Sequence, residues 1–559
     1  MTFINRRARL LQIALLVVIL LAVFLRFFHL STIPASLSQD ETTIGYNSYA
    51  LLTTGHDEHG HFLPLSIQTF GNWTLPGYFF LSTIPIAIFG LNEFSVRVVS
   101  ALAGSISVAL IFFIAQFIFK KRLISFFSVL FFAISPWSIY FSRIAYEVNL
   151  ATAFFLAGFA LFLFWIEKKK KGLIILSSLF FGLTIFTYYS FVLFTPLFLV
   201  ILLFFYRKQL ALSREFKLSV ILFVLLSAIS IFNTFGGSAG ELSREGITNN
   251  AVVYKRSDIF RVDHALSGSV IPFEKLLHNK FSAVGYEFLQ NYINTYSPNF
   301  LFDQGGEKLL NTMGYFGPLY LIDALFLAVG LFSMIWRRDR NIKFILCWLI
   351  IAPISSAITL DAPSSTRLFL ILPIFILLIA YGANSIVQMS KFGIFLKLIA
   401  FGVGILYLIN FIYFADLYYF HLNYQRSRFL HYGFKQAVEI SNKYPNYKVV
   451  MNGPDNFPYI SFLFYNKYDP QKFREQVKYY PIDNNGFKNV KSFDRYNFVY
   501  KLNYYKLDPN ILYISGDKPY GFKNGDTIIS HGNGYRVELQ TINLPSNEPI
   551  MWYYTLQSL

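Results

Sequence analysis

The chain has one cysteine, Cys347, in 559 residues, so no intrachain disulfide is available and folding must rest on packing. Acid is also scarce, with 31 Asp and Glu against 48 Lys and Arg, and charged residues make up only 14% of the chain. Hydrophobic residues are 55% and aromatics 19%, and the mean hydropathy is +0.46. That balance excludes an ordinary soluble protein, whose surface could not hide so much apolar area. There is no repeat of fixed period, and no low-complexity tract beyond Lys168 to Lys171. The net charge of +17 does not argue for nucleic acid, because many basic residues sit in short loops between apolar runs, where they orient helices. A polytopic α-helical membrane protein is what remains.

Apolar runs lie near 10–28, 76–91, 97–119, 123–141, 148–166, 172–187, 189–206, 217–233, 314–335, 343–359, 367–388 and 393–414, which implies about 11 to 12 transmembrane helices. The first run follows Arg6, Arg7 and Arg9 but is longer than a signal-peptide core, and no A-x-A cleavage site follows it. It reads as a retained span. The basic clusters at Arg6/Arg7/Arg9, Lys120/Lys121/Arg122, Lys168 to Lys171, Arg207/Lys208 with Arg214 and Lys217, and Arg337/Arg338/Arg340 fall on one side only if 76–91 does not fully cross. The positive-inside rule then predicts eleven spans, with 76–91, which carries Pro76 and Pro85, as a juxtamembrane or re-entrant helix. On this topology the loop 29–75, the stretch 135–147, the loop 234–313, the turn 359–367 and the tail after 414 share the outer face. The expected domains are a membrane domain over 1–414 and a small soluble α/β domain over 415–559, also on the outer face. β-like runs in the tail lie at 448–453, 457–465, 497–505, 511–516 and 535–542, with a helix near 426–443.

Against so little acid, the adjacent Asp40 and Glu41 in LSQDETTIGY (37–46) stand out. A partly desolvated carboxylate beside a membrane cavity is a competent proton acceptor from a hydroxyl. The plainer reading makes Asp40 an N-cap and Glu41 a first-turn acid favoured by the helix dipole. GHDEHGH (55–61) holds the densest set of metal-ligand types, with His56, Asp57 and His59 as weak candidates. Zinc needs three or four convergent donors, and a hydrated turn or a substrate-contacting surface is the competing reading. SRIAYE places Arg143 and Glu147 at a helical i, i+4 spacing, and an interfacial arginine also suits a phosphate, which its planar fork meets with two parallel bonds. Arg97 and Arg367 lie near span ends, where snorkelling is the plain explanation. Tyr188 and Tyr189 fall in an outer turn and fit an aromatic belt.

A first span ending in RFFHL, then Pro34, then "DE" followed by GYNSYALLTTGHDEHGHFLPL and LPGYFFLSTIPIAIFGLNEFSVRVVSALAG, resembles the GT-C superfamily of membrane glycosyltransferases. The likeness is to glycosyltransferase family 39, which groups with protein O-mannosyltransferases and the lipid A aminoarabinose transferase. ISPWSIYFSRIAYEVNL and TRLFLILPIFILLIAYG look like further family segments, so the resemblance covers roughly 10–414.

The resemblance implies a GT-C fold and inverting transfer of a sugar from a polyprenyl-phosphate donor to an acceptor on a protein, lipid or glycan, at the extracytoplasmic face of a bacterial or archaeal plasma membrane. It assigns Asp40 as the base and Glu41 as its companion. Arg143, Arg367 and Arg97 become candidates for the leaving phosphate, with Glu147, Tyr188 and Tyr189 in support. No cofactor is implied with certainty, and a divalent metal stays open because the family has members with and without one. The Lys-Pro-Pro pattern of aminoarabinose transferases is replaced by Asn72-Trp73-Thr74-Leu75-Pro76, so that family's lysine does not carry over. The loop 234–313 is too short for the repeat domain of the eukaryotic mannosyltransferases, and the tail matches no known acceptor-binding domain. The alternative class is a transporter or flippase of a lipid-linked sugar, or a non-catalytic polysaccharide-assembly protein. It fits less well, because the spans carry almost no mid-helix charge and no repeated halves.

Overall fold

A computed structural model describes residues 2–210, 213–233, 246–249, 251–268, 274–306, 312, 314, 316–483, 486–503, 507–519, 521, 523–530 and 533–559. By packing, the chain forms two compact units. The first comprises Met1–Phe28, Ser100–Ser142 and Tyr146–Asp416; the second comprises His29–Val99, Arg143–Ala145 and Leu417–Leu559. The last change from the first unit to the second falls at 416/417. The polar stretch after the first span groups with the tail, together with the short apolar helix Gly77–Phe89 and the chain up to Val99.

Every one of the twelve apolar runs contains helix. Among the described residues seven helices are long and apolar enough to cross a membrane, or eight if the bent pair Arg122–Ile134 and Pro136–Ser142 is one span. Four shorter apolar helices accompany them: Gly77–Phe89, Lys171–Ile185, Asp323–Trp336 and Ile342–Ala357. The 13 residues of Gly77–Phe89 rise about 20 Å, less than the ~30 Å of a bilayer's hydrocarbon core.

In the first unit, Leu372–Met389 is the central helix, with every side chain from Leu372 to Ser385 buried. It crosses Asp323–Trp336 at two glycines. A Cβ on Gly330 would lie 2.3 Å from the Leu378 carbonyl oxygen, and one on Gly382 would lie 2.1 Å from that of Phe326, so only small residues permit this crossing. The run 314–335 is helical only from Asp323. Residues 316–322 before it are irregular chain, with the Leu319 N–H donating to the Leu301 carbonyl at 2.9 Å. The expected outer loop 234–313 contains the helices Ala251–Ser267 and Lys280–Asn294; positions 234–245, 250, 269–273, 307–311 and 313 of it lie outside the described residues.

The 55° bend between Arg122–Ile134 and Pro136–Ser142 has a chemical cause. Pro136 cannot donate a backbone hydrogen bond, and the last carbonyls of the preceding helix lose their intrahelical partners. Arg26, fully buried near the end of the first span, supplies the missing donors. Its Nη2 reaches the Phe132 carbonyl at 3.3 Å and Ser138 Oγ at 2.6 Å, and its Nη1 reaches the carbonyls of Ala133 at 3.2 Å and Ala22 at 3.0 Å. Nε donates to Ser142 Oγ at 3.2 Å. This arginine in RFFHL was not singled out from sequence.

The second unit contains a short hairpin, β1 (Ile67–Thr69) and β2 (Asn72–Thr74), and an eight-stranded mixed sheet. The strands are β3 (Lys448–Asn452), β4 (Lys478–Tyr479), β5 (Val490–Phe493), β6 (Tyr496–Val499), β7 (Ile511–Ser515), β8 (Thr527–Ser530), β9 (Asn533–Asn543) and β10 (Pro549–Ser558), in the order β4-β5-β6-β3-β7-β10-β9-β8. β3 runs parallel to β6 and β7, with Val450 opposite Asn497 and Tyr513; the other pairs are antiparallel. Tyr513 and Tyr554 pair across β7 and β10 with rings stacked 5.0 Å apart, which fixes register over the core of Leu507, Val537 and Leu556.

The expected strands at 448–453, 511–516 and 535–542 are β3, β7 and β9. The expected strand at 497–505 is only its beginning, in β6, and 504–505 lie outside the described residues. FPYISFLFY (457–465) is not a strand. Tyr459–Tyr465 is a helix, with Tyr459 to Phe464 all buried. A run that is apolar on every side carries no period to separate helix from strand, so burial overrides the β preference of its aromatics. The helix expected near 426–443 is the shorter Phe434–Lys443.

Candidate functional site

Asp40 sits in the second turn-position of the Gln39–Thr54 helix, and the cap that starts this helix differs from the expected one. Ser38, not Asp40, is the N-cap: its Oγ accepts from the Glu41 N–H at 3.2 Å, while Glu41 Oε2 accepts from the Ser38 N–H at 3.0 Å. This capping box was present in the sequence as Ser-x-x-Glu (38–41). It leaves Asp40 exposed at the helix start while Glu41 is 2% exposed. The helix is seated by close packing along its length. A Cβ on Gly45 would lie 2.3 Å from the Phe464 ring, Tyr46 OH donates to the Tyr468 carbonyl at 3.1 Å, and Ser48 Oγ donates to that of Phe79 at 2.9 Å.

Glu41 and Arg97 form a buried bidentate pair, Nε to Oε1 at 2.8 Å and Nη2 to Oε2 at 3.2 Å. The remaining donors of Arg97 reach the carbonyls of Leu30 at 3.1 Å, Pro34 at 2.9 Å and Ser36 at 2.6 Å. Glu41 Oε1 also accepts from the Ala145 N–H at 3.1 Å. All five N–H groups of Arg97 are thus engaged in tying the 30–36 segment to the helix start. Arg97, expected as a third phosphate cation, is occupied by this scaffold, and Glu41 is a buried anchor rather than a second exposed acid.

Arg143 is fully buried. Its Nη2 donates to the Ile33 carbonyl at 3.0 Å, and its guanidinium lies 5.5 and 5.1 Å from the ring centroids of Tyr418 and Tyr419. Arg143 and Glu147, expected at a helical i, i+4 spacing, do not lie on one helix. The Pro136–Ser142 helix ends before Arg143, Tyr146 is extended, and Glu147 begins a new helix. Arg143 belongs to the second unit with Asp40, Glu41 and Arg97; Glu147 belongs to the first.

In the first unit, Arg367 makes an ion pair with Asp361. Tyr188 hydrogen-bonds Thr366 and lies within electrostatic reach of Arg367, Glu147 and Asp361. Tyr189 opens the Tyr189–Tyr206 helix beside it. The expected site residues therefore gather into two sets, Asp40, Glu41, Arg97 and Arg143 in one unit, and Glu147, Tyr188 and Arg367 in the other.

The GHDEHGH segment is a hydrogen-bonded turn. Asp57 is its hub: Oδ1 accepts the N–H groups of His59 at 3.0 Å and His61 at 2.9 Å, and Oδ2 meets His61 Nδ1 at 2.8 Å. His56 Nδ1 faces away, 2.7 Å from the Thr54 carbonyl. Among the described residues no three His, Cys, Asp or Glu side chains gather to hold a metal ion, so His56, Asp57 and His59 are not a ligand set as they stand. Glu58 is buried, with Asn47 and Tyr459 as partners. Burial pushes its carboxyl up to about 8, against the opposing pull of the Asn47 hydrogen bond, and burial pushes the His59 imidazole down to about 4. Their 3.8 Å approach is therefore between two neutral groups at pH 7. Neither perturbation was legible from sequence.

The helical bundle with its mixed-sheet unit has the GT-C fold of membrane glycosyltransferases. Residues 74–232 match the family model described as dolichyl-phosphate-mannose-protein mannosyltransferase, a segment within the 10–414 over which the sequence resembles that family. The oligosaccharyltransferase AglB from Archaeoglobus fulgidus, solved with an inhibitory peptide and a dolichol-phosphate, superimposes with a TM-score of 0.51 at 11% identity over 82% of this chain and 64% of that one. The same organism's oligosaccharyltransferase tethered to an acceptor peptide gives 0.50 at 12% identity over 81% and 63%. ArnT from Cupriavidus metallidurans bound to undecaprenyl phosphate gives 0.48 at 11% identity over 81% and 84%. The chain thus spans less than two thirds of the oligosaccharyltransferase it matches. None of the curated proteins matches it significantly.

Proposed function

We propose that this protein is an inverting glycosyltransferase that moves a sugar from a polyprenyl-phosphate donor to an acceptor hydroxyl or amine at the outer face of a membrane. The observation that carries the reading is the placement of Asp40: an exposed carboxylate at a helix start whose neighbour Glu41 is locked to Arg97, Ser38 and Ala145. Asp40 takes the acceptor's proton as the acceptor attacks the anomeric carbon, and the sugar–phosphate bond breaks through an oxocarbenium-like state. Glu41 and Arg97 position that base. Arg143, beside the rings of Tyr418 and Tyr419, supplies positive charge where the leaving phosphate develops its own; Arg367 is a separate candidate for the same task, with Tyr188 and Glu147 around it. The family description of residues 74–232, and the dolichol-phosphate in the archaeal oligosaccharyltransferase, support a polyprenyl-phosphate donor. The sugar and acceptor class follow from neither.

The test uses the full chain in liposomes with radiolabelled polyprenyl-phosphate sugars, wild type beside Asp40→Asn. Label leaving the lipid fraction in the wild type and falling about 10²–10⁴-fold in the variant, with donor binding retained, supports the base. Equal turnover overturns that assignment, and no turnover of any donor overturns the transferase reading.

A further inference from the structure

The first unit carries an apolar groove far from these carboxylates in sequence, between the Tyr189–Tyr206 and Ile342–Ile351 helices. It has a volume of about 500 Å³ and is lined by Val200, Phe204, Phe205, Lys343, Leu346 and Cys347. That is the size of an ordinary ligand pocket. Its floor is preformed. Phe344 and Trp348 behind it are 4% and 0% exposed, and the Phe205–Phe344 and Phe198–Trp348 rings pack edge to face at 5.6 and 4.9 Å.

The charge is confined to one end. Lys343 is the ionic member of the lining and is exposed. Arg207, just beyond the Tyr189–Tyr206 helix, lies over the ring of Phe204 with its guanidinium carbon 4.4 Å from the centroid. An apolar trough with two exposed cations at its mouth is complementary to an amphiphile with one long chain and an anionic head. Both cations belong to the Arg207/Lys208 and Arg337/Arg338/Arg340 neighbourhood, which the positive-inside rule assigns to the inner leaflet, where anionic phospholipids supply that chemistry.

We propose that this groove binds an anionic phospholipid, one acyl chain lying along Val200, Phe204 and Leu346 and the phosphate held by Lys343 and Arg207. The site does not depend on the transferase reading. It also contains its own reporter, because Cys347 is the only thiol in the chain and lines the groove.

The test is the rate of Cys347 alkylation by N-ethylmaleimide on the purified full-length protein in detergent, titrated with phosphatidylglycerol or with phosphatidylcholine of the same chains. Phosphatidylglycerol is expected to halve the rate at a concentration at least fivefold lower, the factor that one interfacial cation contributes. Lys343→Ala with Arg207→Ala should bring the two lipids to parity, and Leu346→Trp, which fills the trough, should remove protection by either. Should the double variant fold poorly, Lys343→Gln changes a single exposed side chain and should narrow the difference by itself. Equal protection by the two lipids in the wild type, or an unchanged ratio in the charge variants, would overturn the proposal. Protection by undecaprenyl phosphate at lower concentration than phosphatidylglycerol would overturn the choice of ligand.

Discussion

Replacing Glu41 with alanine should cost far more stability than replacing its neighbour Asp40, although the two acids are adjacent and both lie in the motif that suggests catalysis. Glu41 accepts from Arg97 twice and from the N–H groups of Ser38 and Ala145, and it is 2% exposed beside an arginine that is 0% exposed. Removing it leaves a buried guanidinium without its carboxylate and reopens the helix start. Breaking one side of a buried pair costs about 3–5 kcal/mol. For a unit of this size each kcal/mol lowers Tm by roughly 2–4 °C, so the drop is about 6–20 °C. Asp40 is exposed, and changes at exposed sites cost less than those that break a buried pair, so Asp40→Ala is expected to lower Tm by less than Glu41→Ala. Thermal unfolding of the purified protein by intrinsic fluorescence, at pH 7 in one detergent, reads both variants. The double variant Glu41→Leu with Arg97→Met should melt above either single change, since removing both charges leaves no orphan. A Glu41→Ala protein that melts with the wild type, or an Asp40→Ala protein that melts as low as Glu41→Ala, would refute the division into anchor and base.

Glu58 makes stability pH-dependent. Its carboxyl, pushed from 4.5 to about 8, contributes stability that is complete below pH 4.5 and is lost as pH rises through 8, at a slope of roughly 1.4 kcal/mol per unit; Glu58→Gln should flatten the Tm profile between pH 6 and 8. His59, pushed from 6.5 to about 4, acts oppositely. Its contribution is present above pH 6.5 and is lost as pH falls toward 4, so His59→Phe should melt less steeply with acid over that interval. Gly104→Ala places a methyl 1.9 Å from Ser142 Oγ and should lower stability by about 1–3 kcal/mol, seen as a lower yield of monodisperse protein on gel filtration. Arg26→Met abandons the carbonyls of Ala22, Phe132 and Ala133 and the hydroxyls of Ser138 and Ser142; at about 1–3 kcal/mol per orphaned buried group, it should yield less folded protein than Arg9→Met, which changes an exposed side chain.

The sequence by itself determined the class of molecule. Twelve apolar runs, scarce acid and loop-borne lysines leave few alternatives to a helical membrane protein, because hydrophobic mass and charge position are properties of composition and order. It also held the Ser-x-x-Glu cap, a local motif, where the plainer of the two readings of Asp40 puts the cap two residues later. Tertiary structure decided what depends on distance between remote residues. Nothing local in FPYISFLFY separates helix from strand, and burial on every side settled it as a helix. Arg97 and Glu41 stand 56 positions apart, and Arg143 and Tyr418 lie still farther apart in the chain, so pairing could not be read from spacing. The neutral Glu58 and the donors of Arg26 arise from desolvation and from a bend at Pro136, effects that exist only once other segments have closed around them. Residue identity specified which groups could do chemistry; packing made anchors of Glu41 and Arg97 and left Asp40 exposed.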